Sequence, residues 1–202
     1  MTVATEVAIA DTRIWLERAV IGLNLCPFAK SVHVKGQVHY VVSRAQDAQE
    51  LLKALAVELT ALAAHDPLTR DTTLLIAPDC LADFLDFNAF LAKADKLLRK
   101  LDLDGVLQIA NLHPHYQFAG TEAEDITNFT NRSPYPTLHL LREDSIDRAV
   151  AAFPDAHSIF QKNMDTLERI GLAGWTALGV GPRVSAADEE SAGASGRGKI
   201  EP

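Results

Sequence analysis

Residues 111–142, NLHPHYQFAGTEAEDITNFTNRSPYPTLHLLR, decide how this chain is read. The stretch leaves one apolar segment, crosses a long polar span marked by prolines, and returns to another apolar segment. His113, His115 and His139 lie in it, as do Asn111, Asn128, Asn131 and Arg132. A span of this kind must satisfy its own buried backbone through side-chain hydrogen bonds. The same groups can hold a ligand.

The flanks read as strands. In residues 106–112 (VLQIANL) the period-two rule places Leu107, Ile109, Asn111 and His113 on one side. One face therefore packs a core at one end and carries Asn111 and His113 at the other. Ligands of open α/β sheets sit beyond the carboxyl ends of strands, which puts a candidate site here. Residues 137–141 (TLHLL) return as a strand. Pro134 and Pro136 remove two backbone donors before it, so an edge or turn is expected there.

Working outward, residues 38–43 (VHYVVS) are rich in β-branched side chains and read as a strand. Residues 72–77 (TTLLIA) are nearly all apolar, as a buried central strand would be. A first helix is expected over residues 5–23, with Leu16, Ala19, Val20 and Leu23 on one face and Pro27 preventing its continuation. Residues 43–46 (SRAQ) fit a capping box before a helix bearing Leu52, Leu55, Leu59 and Leu62. Pro78 and Asp79 open a longer helix. Its apolar face is Phe84, Phe87, Leu91, Ala94, Leu98 and Leu101, and Lys93, Lys96, Arg99 and Lys100 form a solvated side. Past the last strand, Asp144 or Ser145 caps a helix with Ile146, Ala149, Val150 and Phe153 inward, broken at Pro154. A further helix carries Phe160, Met164 and Leu167 and stops at Gly171; residues 175–180 read as a last short strand or a covering loop. This order predicts one α/β or α+β sandwich of about four to five strands with helices packed on the sheet. Residues 1–183 are expected as a single globular domain, and residues 184–202, rich in Ala, Ser, Gly and charge, as a disordered tail.

Composition narrows the function classes. The 202 residues are 48% hydrophobic and 23% charged, with a net charge of −8. No basic footprint for duplex nucleic acid is present. Cys26 and Cys80 are the two cysteines and make no disulfide framework or metal motif. The start, MTVATEVAIADTR, lacks the basic and apolar regions of a secretory signal, and no run of about 18 apolar residues suggests a membrane span. A reduced, cytoplasmic protein is expected.

Three stretches, 22–30 (GLNLCPFAK), 113–121 (HPHYQFAGT) and 128–143 (NFTNRSPYPTLHLLRE), resemble the signature segments of a family of bacterial proteins classed as a domain of unknown function. The resemblance runs from the first helix to about Gly181. It brings no activity with it.

The residues themselves suggest several chemistries. His113, near neutrality in pKa, would act as acid–base group or metal ligand, with Gln117, Asn128 and Asn131 orienting substrate or loop. Arg132 would clamp a carboxylate or phosphate with help from Ser133. Cys26, if close to His113, would be a nucleophile; its apolar setting favours the reading as a small core residue. His113, His115 and His139, with Asp125 or Glu124, form a conceivable zinc or iron set; a His-x-His pair is a weak signal, no residue is assigned as a metal ligand, and metal-assisted chemistry stays open beside the metal-free pocket. Tyr116, Phe118, Phe129 and Tyr135 around Arg132 could stack single-stranded bases, against the acidic balance. The leading expectation is a hydrolase-like enzyme acting on a small anionic molecule, in which His113, Arg132 and Cys26 converge. The alternative is a non-enzymatic ligand- or protein-binding module with an ordered polar loop.

Overall fold

The computed structural model describes residues 2–152 and 158–182. Four strands form one mixed sheet: β1 (Val38–Val42), β2 (Thr72–Ile76), β3 (Leu107–Leu112) and β4 (Thr137–Arg142). Their order is β1-β2-β4-β3, with β1 and β2 parallel and β4 antiparallel to both β2 and β3. Hence β1, β2 and β3 all point the same way, and their carboxyl ends share one edge of the sheet. The long loop leaves β3 at that edge.

Register assigns the two faces. Leu75 pairs with Leu138, Thr73 with Leu140, and Ile109 with Leu140. This face packs against α3 (Ala48–Ala64) and α4 (Phe84–Lys100), through Leu51, Leu55, Leu59, Phe87 and Phe90. Each of these side chains is essentially removed from water, which stabilises by roughly 1.5–3 kcal/mol per residue. The opposite face carries Leu74, Ile76, His139, Ala110 and Leu112. On β1 it presents Val38, Tyr40 and Val42 to α1 (Thr5–Trp15) and to the chain that follows it. Strand β2 is buried at all five positions because it is covered on both sides, as its apolar sequence suggests.

β4 is a central strand, not an edge. Pro134 and Pro136 lie just before the paired segment, so neither removes a ladder donor, and the Pro136 carbonyl accepts from Ala77 N–H at 2.8 Å.

The first helix changes pitch at Leu16. Residues Leu16–Ile21 form a π-helical segment, in which Gly22 N–H reaches back to the Glu17 carbonyl at 3.0 Å. The wider winding brings the Arg18 carbonyl to 2.2 Å from where a Cβ on Gly22 would sit. Only glycine fits there. Asn24, at φ 56, then turns the chain toward the short helix α2 (Ala29–Val34), a role suited to Asn in the left-handed region.

Two caps differ from expectation. Helix α3 is capped by Asp47, whose carboxylate accepts from Gln49 and Glu50 N–H at 2.8 Å, while Glu50 reaches back to Gln46 N–H. Ser43 serves a local turn to Ala45 instead. Helix α4 is capped by Asp83, not opened at Pro78. A carboxylate at N-cap suits both the free N–H groups and the helix dipole.

Helix α5 (Glu143–Ala152) follows β4 directly and buries none of its residues; Phe153 and Pro154 lie outside the described residues. Helix α6 (Ile159–Ala177) is kinked at Gly171, where φ is 59. The expected stop is thus a kink. The helix resumes and carries the buried Trp175, so no strand forms over residues 175–180. Residues 184–202, expected as a disordered tail, lie outside the described residues. No helix among the described residues is long and apolar enough to cross a membrane.

Candidate functional site

The loop between β3 and β4 is held by its own side chains. Asn128 is fully buried. Its carbonyl oxygen accepts from Phe118 N–H at 2.9 Å and from the Thr121 hydroxyl at 2.8 Å, and its amide donates to the Glu122 carbonyl at 2.8 Å. Asp125 caps the 3-10 turn Ile126–Asn131 by accepting from Thr127 N–H and hydroxyl, and these bonds lower its pKa. Gln117 is exposed and donates to the Thr121 carbonyl. The Asn131 carbonyl accepts from His113 N–H at 3.2 Å.

His113 lies on the α4 side of the sheet, fully buried against Phe84 and Phe87, with ring centroids 5.4 and 5.0 Å away. Its Nδ1 accepts from His115 N–H at 3.0 Å, so Nε2 carries the proton and donates to the Leu81 carbonyl at 3.1 Å. Burial lowers its pKa below 6.5. Leu81 is itself in the left-handed region at φ 55. That conformation costs an L-residue about 1–2 kcal/mol, and here it belongs to the turn whose carbonyl receives the ring. Both nitrogens of His113 are committed to backbone groups.

The three histidines do not assemble. His139 pairs with Leu74 and Ala110 on the opposite face of the sheet from His113. Its Nε2 bonds to the Thr72 hydroxyl at 2.6 Å, and that hydroxyl donates to the Leu140 carbonyl. Among the described residues no group of three His, Cys, Asp or Glu side chains is placed to hold a metal. Period two, which joins His113 to the α4 face, sends His139 to the other one.

Arg132 has a different setting. Its guanidinium lies over the Phe129 ring, 4.2 Å from the centroid. Nε donates to the Tyr116 carbonyl and Nη2 to the Ala123 carbonyl, at 3.2 and 2.5 Å. These are the two groups on one edge of the planar fork. Nη1 and the outer N–H of Nη2 have no partner among the described residues, and no carboxylate there pairs with Arg132. Burial lowers the guanidinium pKa from its ordinary value, partly opposed by the charge of Glu124, and an arginine stays charged.

Arg132 and Ser133 line a cleft of about 140 Å³ with Pro114, Trp15, Phe129 and Trp175. Phe129 and Trp175 meet edge to face at 5.0 Å. Trp15 is the last residue before the π-helical segment, and such segments occur often at functional sites. Ser133 is buried, and its hydroxyl donates to the Tyr135 carbonyl at 2.7 Å. The cleft lies at the sheet edge where β1, β2 and β3 end.

Of the three groups expected to converge, only Arg132 lines this cleft, with Ser133 beside it. Cys26 packs at the margin of the apolar cluster of Trp15, Leu16 and Trp175 and is not part of the lining. His113 faces α4, although its neighbour Pro114 lines the cleft. Cys80 is buried, and burial raises its thiol pKa to about 11. The loop aromatics are anchors: Tyr116 and Phe118 pack at 5.0 Å, and the buried Tyr135 hydroxyl donates to Asp11 at 2.7 Å. Sequence reasoning missed the two tryptophans. They stand 160 positions apart and meet only because α6 resumes after Gly171; the π-helical segment has no local signal beyond Gly22.

The chain belongs to the family described as protein of unknown function (DUF1415), whose model matches residues 7–177. No curated protein and no solved structure matches it.

Proposed function

We propose that this protein binds a small anion in the cleft at Arg132. The observation that carries the reading is the free edge of a partly buried guanidinium: no hydrogen bond among the described residues uses it, and Glu124 acts on Arg132 through charge without forming an ion pair. A desolvated cation gains most from an anion that completes its hydrogen bonds. Arg132 is also fixed by Phe129 and two carbonyls, so little side-chain freedom is lost on binding.

The reading favours a ligand-binding module over hydrolase-like turnover. The lining residues named above include no carboxylate, histidine or cysteine. For His113 to serve as acid–base group, its ring would have to leave both Leu81 and His115. Its bonds suit a loop anchor better than a proton carrier.

The test is thermal unfolding in the presence of acetate, benzoate and inorganic phosphate, with Arg132→Gln and Arg148→Gln beside wild type. Saturable stabilisation by at least one anion, kept in Arg148→Gln and lost in a folded Arg132→Gln, supports the reading. Equal shifts in all three proteins, or none in wild type, refute it.

A further inference from the structure

We infer that the anion held at Arg132 is a monocarboxylate carried on a single flat apolar ring. This rests on the anion reading of the cleft and adds the ligand's class. The first ground is size. The cleft measures about 140 Å³, well below the roughly 300–1,000 Å³ of sites that take drug-sized ligands. A nucleotide or sugar phosphate does not fit; one ring with one small anionic group does.

The second ground is the wall. Trp15, Phe129 and Trp175 present aromatic surface, and Pro114 and Pro134 add apolar surface without backbone donors. Ser133 offers little in compensation, because its hydroxyl proton is already given to Tyr135. A polyhydroxylated ligand would lose its water without replacement bonds. A flat apolar ring would gain aromatic contacts.

Charge and geometry choose the head group. Arg132 is the one charged residue among the described residues lining the cleft, and the chain carries −8. A dianionic phosphate monoester would keep one charge unmatched in a repelling field. With Nε and one N–H of Nη2 bound to loop carbonyls, the fork left open is Nη1–H beside Nη2–H. Two parallel donors match the two oxygens of a carboxylate.

The protein has two tryptophans, and both line the cleft, so intrinsic tryptophan fluorescence reports this site alone. The full chain would be titrated with benzoate, benzamide, acetate, phenyl phosphate and inorganic phosphate. Benzoate is expected to saturate the signal. Acetate, which lacks the ring, should bind at least about tenfold more weakly. Benzamide, which lacks the charge, and phenyl phosphate should bind more weakly by a similar factor or more. Acetate or inorganic phosphate binding as tightly as benzoate would overturn the ring inference while leaving the anion site standing. Benzamide matching benzoate would refute both readings. So would no response to any probe. Because these arms use the wild-type chain, the result does not depend on whether an Arg132 variant folds.

Discussion

The imidazole of His113 donates through Nε2 to the carbonyl of Leu81 at 3.1 Å. This bond ties the loop leaving β3 to the loop leaving β2, two strands that are separated by β4. It requires a neutral ring, because Nδ1 accepts from His115 N–H. On the opposite face of the sheet, His139 is held neutral as well, its pKa lowered to about 4 by burial.

Both histidines therefore make stability depend on pH with one sign. Each has a folded pKa below its ordinary 6.5, so the unfolded chain takes up protons first as pH falls. Stability should be constant in these terms above about pH 7 and fall between pH 6.5 and about 4, the range set by His139. The His139 share is at most about 3 kcal/mol. Urea unfolding across this range checks it. His139→Leu should flatten the slope and still fold, since the Thr72 hydroxyl keeps its bond to Leu140. An unchanged slope would remove His139 from the account.

Asn128 fixes the loop more than any other side chain in it. Asn128→Ala leaves Phe118 N–H and the Glu122 carbonyl without their partner, while the Thr121 hydroxyl keeps its bond to the Phe118 carbonyl. The expected loss is roughly 3 kcal/mol. Hydrogen exchange should show Phe118 N–H unprotected. Loss under 0.5 kcal/mol, the usual range for surface changes, would mean the network is dispensable.

At Gly22 a methyl group would lie 2.2 Å from the Arg18 carbonyl. Gly22→Ala should destabilise by about 1–3 kcal/mol, as overpacking does, by forcing the π-helical segment to rewind. Denaturant unfolding measures the cost. A variant as stable as wild type would show that the segment shifts freely.

Tyr40 gives a prediction of the opposite sign. Its hydroxyl is buried with no partner among the described residues, and burial raises its pKa to about 12. Tyr40→Phe should be neutral or stabilising by up to about 1 kcal/mol, because the unsatisfied hydroxyl is removed. A clear loss in the same unfolding experiment would reveal a bond at that oxygen.

The four strands were legible because each is a short apolar run, and period two correctly put His113 on the same side of its strand as Ile109, the side that packs on α4. Position in the sheet was not legible. Pro134 and Pro136 pointed to an edge or a turn; they lie at the bend just before a strand that is central, not an edge. Caps were misplaced by a few residues where two candidates stood close together, as with Ser43 and Asp47. At the site, the sequence could only suggest Arg132 as an anion clamp and Asn128 as a group orienting substrate or loop. It could not tell that the Asn128 side chain has all its bonds within the loop while Arg132 keeps one edge free. Nor could it bring Trp15 to Trp175, since that contact depends on the Gly171 kink and on the packing of α6.

The most direct test of the central claim is a crystal structure of the protein soaked with para-bromobenzoate, located by the anomalous signal of bromine. The account predicts the bromine between Trp15 and Trp175 and the carboxylate on Nη1 and Nη2 of Arg132. An empty cleft at saturating ligand, or bromine found only beside Arg142 and Arg148 in the separate cleft of about 320 Å³ near Pro67, would contradict it.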